Sequence, residues 1–174
     1  MKCSKCGGLA VINLNQHRLR LCAEHFVAWV LAMTQRTIDK YEMFAPDERI
    51  LVAVSGGKDS LALWDVLLEL GYQAEGMYIR LGIDEGTGYS DTSLAMCQKF
   101  VAEHRPEAVL RVVDLEAAYG QAVPWLARVK HRGRGKPCAV CGLVKRHIMN
   151  STARDGGFAA IATGHNMDDE VAVL

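Results

Sequence analysis

The stretch that most constrains the fold is Arg49-Ile-Leu-Val-Ala-Val-Ser-Gly-Gly-Lys-Asp-Ser60. Residues 50–54 form a short apolar run rich in β-branched side chains, bounded by charge on one side and glycine on the other. That is how a strand buried on both faces of a parallel sheet reads. The run breaks at Ser55-Gly56-Gly57, and Leu61, Leu63, Trp64, Leu67 and Leu68 follow at helical spacing. Strand, glycine turn and helix in succession aim the unpaired N–H groups of a helix N-terminus beyond the strand end, where they attract anions. Gly56 and Gly57 admit a ligand closely, Lys58 adds a mobile positive charge, and Ser55 and Ser60 add hydroxyl donors. Phosphate is the natural guest. The common nucleotide loop needs a glycine five residues before its Gly-Lys-Ser/Thr unit. Val52 stands there and Asp59 separates lysine from serine, so this loop is of another kind. The bland alternative, a turn that binds nothing, has hexapeptide and flanking pattern against it.

A chain of 174 residues with 50% hydrophobic side chains can bury a core as one domain with a small appendage. It has no apolar run long enough for a membrane span and no signal peptide, so a soluble cytoplasmic protein is the expectation. Zero net charge hides an asymmetry: residues 128–154 hold eight Lys/Arg and no Asp or Glu, while residues 46–127 are acidic overall. A long, glycine-laced basic block of this kind suits RNA or another polyanion, its plain alternative being a solvated face.

Six cysteines, four of them in two Cys-x-x-Cys pairs, point to metal rather than disulfides. Cys3-x-x-Cys6 is followed after fifteen residues by Cys22-x-x-His25. Two knuckles joined by a short hairpin make a tetrahedral zinc site of Cys3, Cys6, Cys22 and His25. So small a module depends on its ion to fold. The expected organisation is a zinc-binding ribbon over residues 1–27, a linking helix over 28–46, and an α/β parallel-sheet domain over 47–174. The helix is placed at residues 26–44.

Beyond the loop and its helix, residues 74–81 read as a second strand. Ligands sit past the carboxyl ends of strands in such sheets, so Met77, Tyr78 and Ile79 are candidates to pack against a planar ring, or else plain core. Residues 82–93 read as a mobile glycine-rich loop, 93–104 as a helix and 108–114 as a third strand. Cys97 reads as a buried structural thiol. Residues 117–129 suggest a helix interrupted at Pro124. Then Cys138-Ala-Val-Cys141 leads into a helix over 141–154, with Cys141 and Lys145 on one face. Two thiols at a helix N-terminus beside cations deprotonate readily. A redox disulfide, half a zinc site, and two ligands of an iron–sulfur cluster all remain open on that spacing. A fourth strand at 158–162 ends in Thr163-Gly164-His165-Asn166-Met167-Asp168-Asp169-Glu170. Of Asp168 and Asp169, one is expected to cap the next helix and one to serve Mg²⁺ or a proton. The chain stops at Leu174 just as that helix begins, and so reads as C-terminally truncated.

Together the Cys₃His ribbon, SGGKDS, a Gly-Ile loop after the second strand, PCAVCGLVKR and ATGHNMDDEVAVL resemble the PP-loop tRNA 2-thiouridine synthetases of the TtuA/TtcA group, nearest its TtuA branch. The resemblance runs over essentially the whole chain. It implies a PP-loop fold like that of the adenine nucleotide α-hydrolases behind an N-terminal zinc ribbon. It also implies ATP with Mg²⁺ on Ser55, Gly56, Gly57, Lys58, Asp59 and Ser60, with Ala53 and Ile79 at the adenine and Gly164 nearby. Cys138 and Cys141 match two of three cysteines holding a [4Fe-4S] cluster; the third lies further on in the family, and Cys97 does not match it. Lys145 and Asp169 match catalytic positions, Lys145 also contacting the nucleotide, and Lys58 would stabilise departing pyrophosphate. The implied partners are tRNA, a ubiquitin-like thiocarboxylated sulfur carrier and a second copy in a homodimer, with no membrane. The implied reaction is ATP-dependent conversion of a T-loop 5-methyluridine to its 2-thio form. The rivals are thiolation of an anticodon-loop uridine or cytidine, a PP-loop tRNA ligase or amidating enzyme, and a non-catalytic zinc and nucleotide module that binds RNA.

Overall fold

The computed structural model describes residues 1–82, 88–120, 123–125 and 137–171, with the side chains of Pro137, Cys138, Met167 and Glu170 outside that description. The loop at residues 83–87, six of the thirteen residues of the helix expected at 117–129, and the part of the basic segment up to residue 136 therefore lie outside the described residues. Two compact units emerge, Met1–Met43 and Phe44–Leu174.

In the first unit, β1 (Ile12–Leu14) and β2 (Leu19–Leu21) pair antiparallel with Ile12 opposite Leu21. A single 3₁₀ turn at Asn15–His17 joins them, and Arg18 closes it with φ 52°. Helix α1 (Ala23–Tyr41) begins three residues earlier than the sequence suggested, directly after Cys22. Its first turn therefore carries His25, which ties helix and hairpin to one another. The same helix groups with the hairpin in this unit. Cys3, Ala10, Leu21 and Ile38 are its buried apolar side chains, and His17 packs on Trp29 with ring centres 4.9 Å apart.

The second unit is a four-stranded parallel sheet: β3 (Arg49–Ala53), β4 (Gln73–Arg80), β5 (Leu110–Asp114) and β6 (Ala160–Thr163), in the order β5-β4-β3-β6. Parallel neighbours need crossovers. These are α2 (Lys58–Glu69), α3 (Tyr89–His104) and, between β5 and β6, α4 (Leu115–Tyr119) with α5 (Pro137–Asp155). A last short helix, α6 (Met167–Val171), follows β6. Helix α3 starts at Tyr89, before the residue 93 expected, and α5 at Pro137, so both Cys138 and Cys141 are helical.

Both sheet faces are covered, which explains the unbroken apolar run of β3. Ile50, Leu51 and Val52 are fully buried. On one face Leu51 and Met77 pack with Ala153 and Phe158, joined by Met149 of α5. On the other, the Trp64 ring of α2 fills the space beside Gly76, and its indole N–H donates to the Ala74 carbonyl at 3.0 Å. Phe100 of α3 packs on the same ring at 5.2 Å. Among the described residues no helix is long and apolar enough to cross a membrane.

The amino ends of the strands are locked by charge. Glu75 accepts from Arg49 and from Arg111, each at 2.6 Å, and both guanidinium groups lie over the Phe158 ring. Burial pushes the Glu75 carboxyl up, but the hydrogen bonds from Arg49 and Arg111 outweigh it and hold it below its ordinary 4.5. A carboxyl depressed on folding contributes stability above its unfolded value and loses it as pH falls through the native one. Glu75→Gln is expected to lower stability at pH 7 and to flatten its decline below about pH 4.5. Urea midpoints between pH 7 and pH 3 check this, and an unchanged acid slope would refute it.

Candidate functional site

The sheet order reverses beside β3: β4 and β5 extend it one way, while β6 returns on the other side. Ligands of open α/β sheets bind beyond the carboxyl strand ends at such a point. The phosphate-loop candidate Ser55–Ser60 lies there, at the start of α2. Its geometry is self-supporting. The Ser60 hydroxyl donates to the Gly57 carbonyl at 3.0 Å and accepts the Ser55 N–H at 3.1 Å. No side chain caps α2 at Gly57, so the N–H groups of its first turn keep their donor capacity.

Two glycines let backbone touch backbone here. Gly56 has φ 77°, and a Cβ on it would lie 2.4 Å from the Ser93 carbonyl oxygen of α3. A Cβ on Gly164, just past β6, would lie 2.7 Å from the Ser60 Cα. Any larger residue would push β6 and α3 away from the loop.

Above this junction lies a cavity of about 290 Å³. Ala53, Ser55, Gly57, Asp59, Ser60, Ile79, Lys145 and Gly164, all singled out from sequence, line it. Met77 and Tyr78 line it as well. Gly56, Lys58 and Asp169 are not part of its lining. The Lys58 side chain is 87% exposed and pairs with Asp59 at 2.9 Å. Asp169 accepts the Asn166 N–H at 2.9 Å, while the Asn166 side chain accepts from the amides of Asp168 and Asp169. Asn166 is thus the helix cap, and Asp169 returns the bond in a reciprocal box. The expectation that Asp168 or Asp169 is the N-cap is corrected to Asn166, which accepts the amides of Asp168 and Asp169, while Asp169 still serves the cap from the first turn by accepting the Asn166 N–H.

Tyr89, Ser93, Met149 and His165 also line the cavity and were not foreseen. Met149 stands one turn beyond Lys145 and was open to the same helical reasoning. Tyr89 and Ser93 were hidden in a run taken for loop. Cys141, one turn before Lys145, packs against the buried cluster of Leu81, Leu115, Val123 and Ile148. Cys138 shares its helix.

In the first unit, ligand atoms of Cys3, Cys6, Cys22 and His25 lie within 4.8 Å of one another. Cys6 and Cys22 sulfurs are 3.9 Å apart and Cys3 sulfur is 3.8 Å from His25 Nδ1. A tetrahedral ion with thiolate bonds of about 2.3 Å spaces its sulfurs by about 3.8 Å, so the donor set fits one. Burial pushes the Cys3 thiol up, but the amides of Cys22, Cys6 and Lys5 overcome it and bring it down to about 6. The Gly8 amide lowers the Cys6 thiol, yet the neighbouring Cys3 and Cys22 sulfurs raise it on balance. Crowded sulfurs of this kind are what a bound cation relieves. Cys22→Ala is expected to remove one metal ion per chain and to speed amide exchange in β1 and β2. Atomic emission with hydrogen exchange checks this; full metal content in the variant would exclude the site.

Comparison with known proteins adds a lineage to this geometry. Residues 2–27 match the family described as 2-thiouridine synthetase TtuA, N-terminal LIM domain. Residues 48–171 match the tRNA methyl transferase HUP domain. The tRNA-5-methyluridine(54) 2-sulfurtransferase of Thermus thermophilus is 52% identical over all of this chain and 52% of its own length. That of Pyrococcus horikoshii is 44% identical over all of this chain and 53% of its own. The chain spans about half the length of the curated relatives it matches. Among solved structures, the U34-tRNA thiolase NcsA of Methanococcus maripaludis, described with its [4Fe-4S] cluster, superposes with a TM-score of 0.79. It covers 97% of this chain and 54% of that one at 24% identity, a likeness of fold.

Proposed function

This chain belongs to the TtuA-type PP-loop family, a tRNA methyl transferase HUP domain behind an N-terminal LIM domain, and from that we propose that it carries the ATP-activating part of a tRNA 2-thiolating enzyme. The observation that carries the reading is the meeting of α2 and α5 at one cavity. The uncapped start of α2 and Lys145 with Met149 of α5 line the same space, and Cys141 stands one turn before Lys145.

ATP would bind with its phosphates on Ser55, Gly56, Gly57, Lys58, Asp59 and Ser60, and its adenine by Ala53, Ile79 and Gly164. The 2-oxygen of a T-loop 5-methyluridine would attack the α-phosphorus, and the bond to the departing pyrophosphate would break. The first-turn amides of α2 and the mobile Lys58 would hold the charge on that leaving group. Sulfide would then form a bond to C2 of the base, and the C2–oxygen bond would break to release AMP. Lys145 would steady the nucleotide phosphate, and Asp169, once turned from Asn166, would hold Mg²⁺ or a proton.

Cys138 and Cys141, three positions apart on one helix, suit two ligands of a [4Fe-4S] cluster. Cys141 itself is half-buried and packs beside the apolar cluster of Leu81, Leu115, Val123 and Ile148. When bound, such a cluster would supply a soft, sulfur-holding centre. The ion at Cys3, Cys6, Cys22 and His25 is proposed to be Zn²⁺, structural because all four positions are protein ligands. A ubiquitin-like carrier with a C-terminal thiocarboxylate is the proposed sulfur source, and the working form a homodimer. The basic residues from 128 to 154 would face tRNA.

The test uses the product of the complete gene, with its cluster rebuilt without oxygen, given ATP, sulfide and unmodified tRNA. Mass spectrometry is expected to find the 2-thio nucleotide in the T-loop. Lys145→Ala is expected to lower kcat/KM by about 10²–10³. Cys138→Ser should abolish thiolation. Unthiolated tRNA in the complete system would end the reading, and an ATP-dependent ligation that survives Cys138→Ser would replace it with the amidating class.

A further inference from the structure

The cavity beyond the strand ends, about 290 Å³, is at the small end of pockets that take a single small molecule. A nucleotide on the phosphate loop leaves no room in it for a second ring system, so a base that reacts with that nucleotide has to be met at the rim. Two of the cavity-lining side chains that face solvent carry rings, Tyr89 and His165. The His165 ring is met by the Thr163 hydroxyl at 3.4 Å. The Tyr89 side chain is 63% exposed, and among the described residues its ring and hydroxyl have no hydrogen-bond or ring partner. A lone exposed aromatic is ordinary on a protein surface. This one differs because its backbone is fixed on every side. Tyr78 Oη donates to the Ser90 carbonyl at 2.7 Å, Arg80 pairs with Asp91 at 2.7 Å, and the Thr92 N–H donates to the Gly88 carbonyl at 2.9 Å. One turn further on, the Ser93 carbonyl occupies the space a Gly56 side chain would need. The ring is thus displayed from a rigid helix start beside the phosphate loop. It lines the cavity from α3, while Lys145 and Met149 line it from α5 on the other face of the sheet.

We infer that Tyr89 is the stacking platform for the acceptor base, the RNA base whose oxygen ATP activates. The inference rests on reading the cavity as the ATP site of a tRNA-thiolating enzyme. Chemistry on an atom of a base takes that base out of its own stack, at a cost in stacking energy. An aromatic face offsets the loss, and unstacked RNA bases are commonly held on one. Stacking takes hold of the face of the base and asks nothing of its edge. The C2 edge, where oxygen leaves and sulfur arrives, stays free to meet Lys145 on α5. Tyrosine also suits a rim that stands empty between turnovers, because its hydroxyl remains in water while the ring waits. The adenine of ATP is the other planar ring within reach. Its expected place, at Ala53, Ile79 and Gly164, is half-buried and so lies deeper than the exposed Tyr89 ring.

The experiment measures the binding of two stem-loop RNAs to the complete-gene product with α,β-methylene-ATP in its nucleotide site. One RNA carries 5-methyluridine at the target position of the T-loop, and the other has an abasic site there. Tyr89→Ala and Tyr89→Leu are expected to weaken the intact RNA about tenfold, while the abasic RNA and α,β-methylene-ATP bind as before. Tyr89→Phe and Tyr89→Trp, which keep a ring, are expected to bind both RNAs as the parent does. Equal losses on the two RNAs overturn the inference, since a general RNA contact acts that way. Unchanged affinity in the alanine and leucine variants overturns it as well. A fall in α,β-methylene-ATP affinity assigns the ring to adenine instead, and a phenylalanine variant as weak as alanine assigns the effect to the hydroxyl; either result excludes the platform. A parent protein that leaves the T-loop RNA unthiolated with ATP and sulfide fails the reading of the site itself, whatever Tyr89 does.

Discussion

The cavity exists because backbone is allowed to touch backbone at two places. At Gly164 the chain leaving β6 passes against the first turn of α2, and at Gly56 the loop leans on the Ser93 carbonyl of α3. In both cases a Cβ would lie closer than 3 Å to main-chain atoms, which no rotamer change relieves. The contacts draw three separate elements onto the carboxyl end of β3. A polar, amide-lined mouth can then sit on an otherwise apolar sheet. Without them the loop would face open solvent, and the anion attraction of a helix start would be screened by water.

The same sheet is held differently at its two ends. The amino ends of β3, β4 and β5 are joined by Arg49, Glu75 and Arg111, a closed set of partners that leaves little capacity to bind anything else. The carboxyl ends carry donors without caps and hydroxyls that bond only to the loop itself. Polar groups satisfied at one end and held in reserve at the other give the domain its direction. Arg80, bridging Asp91 and Asp114, marks where the reserve stops on the β4 side.

Much of this was legible in the residues. The β-branched run before two glycines could hardly be anything but a central parallel strand, and Cys-x-x-Cys with Cys-x-x-His predicted the four donors that do converge. What stayed hidden was whatever depended on neighbours distant in the chain. The start of α3 is rich in Ser, Asp and Thr, residues that favour turns locally, so its first turn passed for loop. Only the Tyr78 bond to Ser90 and the Arg80 bond to Asp91 make that turn worth forming. With the helix start misplaced, Tyr89 and Ser93 did not read as one face. Asn166 was overlooked for a similar reason: two aspartates beside it are strong cap formers too, and sequence does not say which one comes into register.

In the proposed reaction, helix α5 would keep activation and sulfur chemistry on one rigid part. Val140, Ile148 and Ala153 are buried and fix the helix against the sheet. Beside that stripe, Cys141, Lys145 and Met149 recur every fourth residue. They run from the apolar shelf at Leu81 and Leu115 to the cavity wall. A helix rises about 1.5 Å per residue, so Cys141 and Lys145 stand about 6 Å apart along its axis. A sulfur held at the first and a phosphate held at the second would face the two sides of one planar base without any hinge between them. A domain motion to carry an adenylated base to a separate sulfur site would expose it to water, and hydrolysis would simply restore the original oxygen. Placing both groups on one helix would remove that interval.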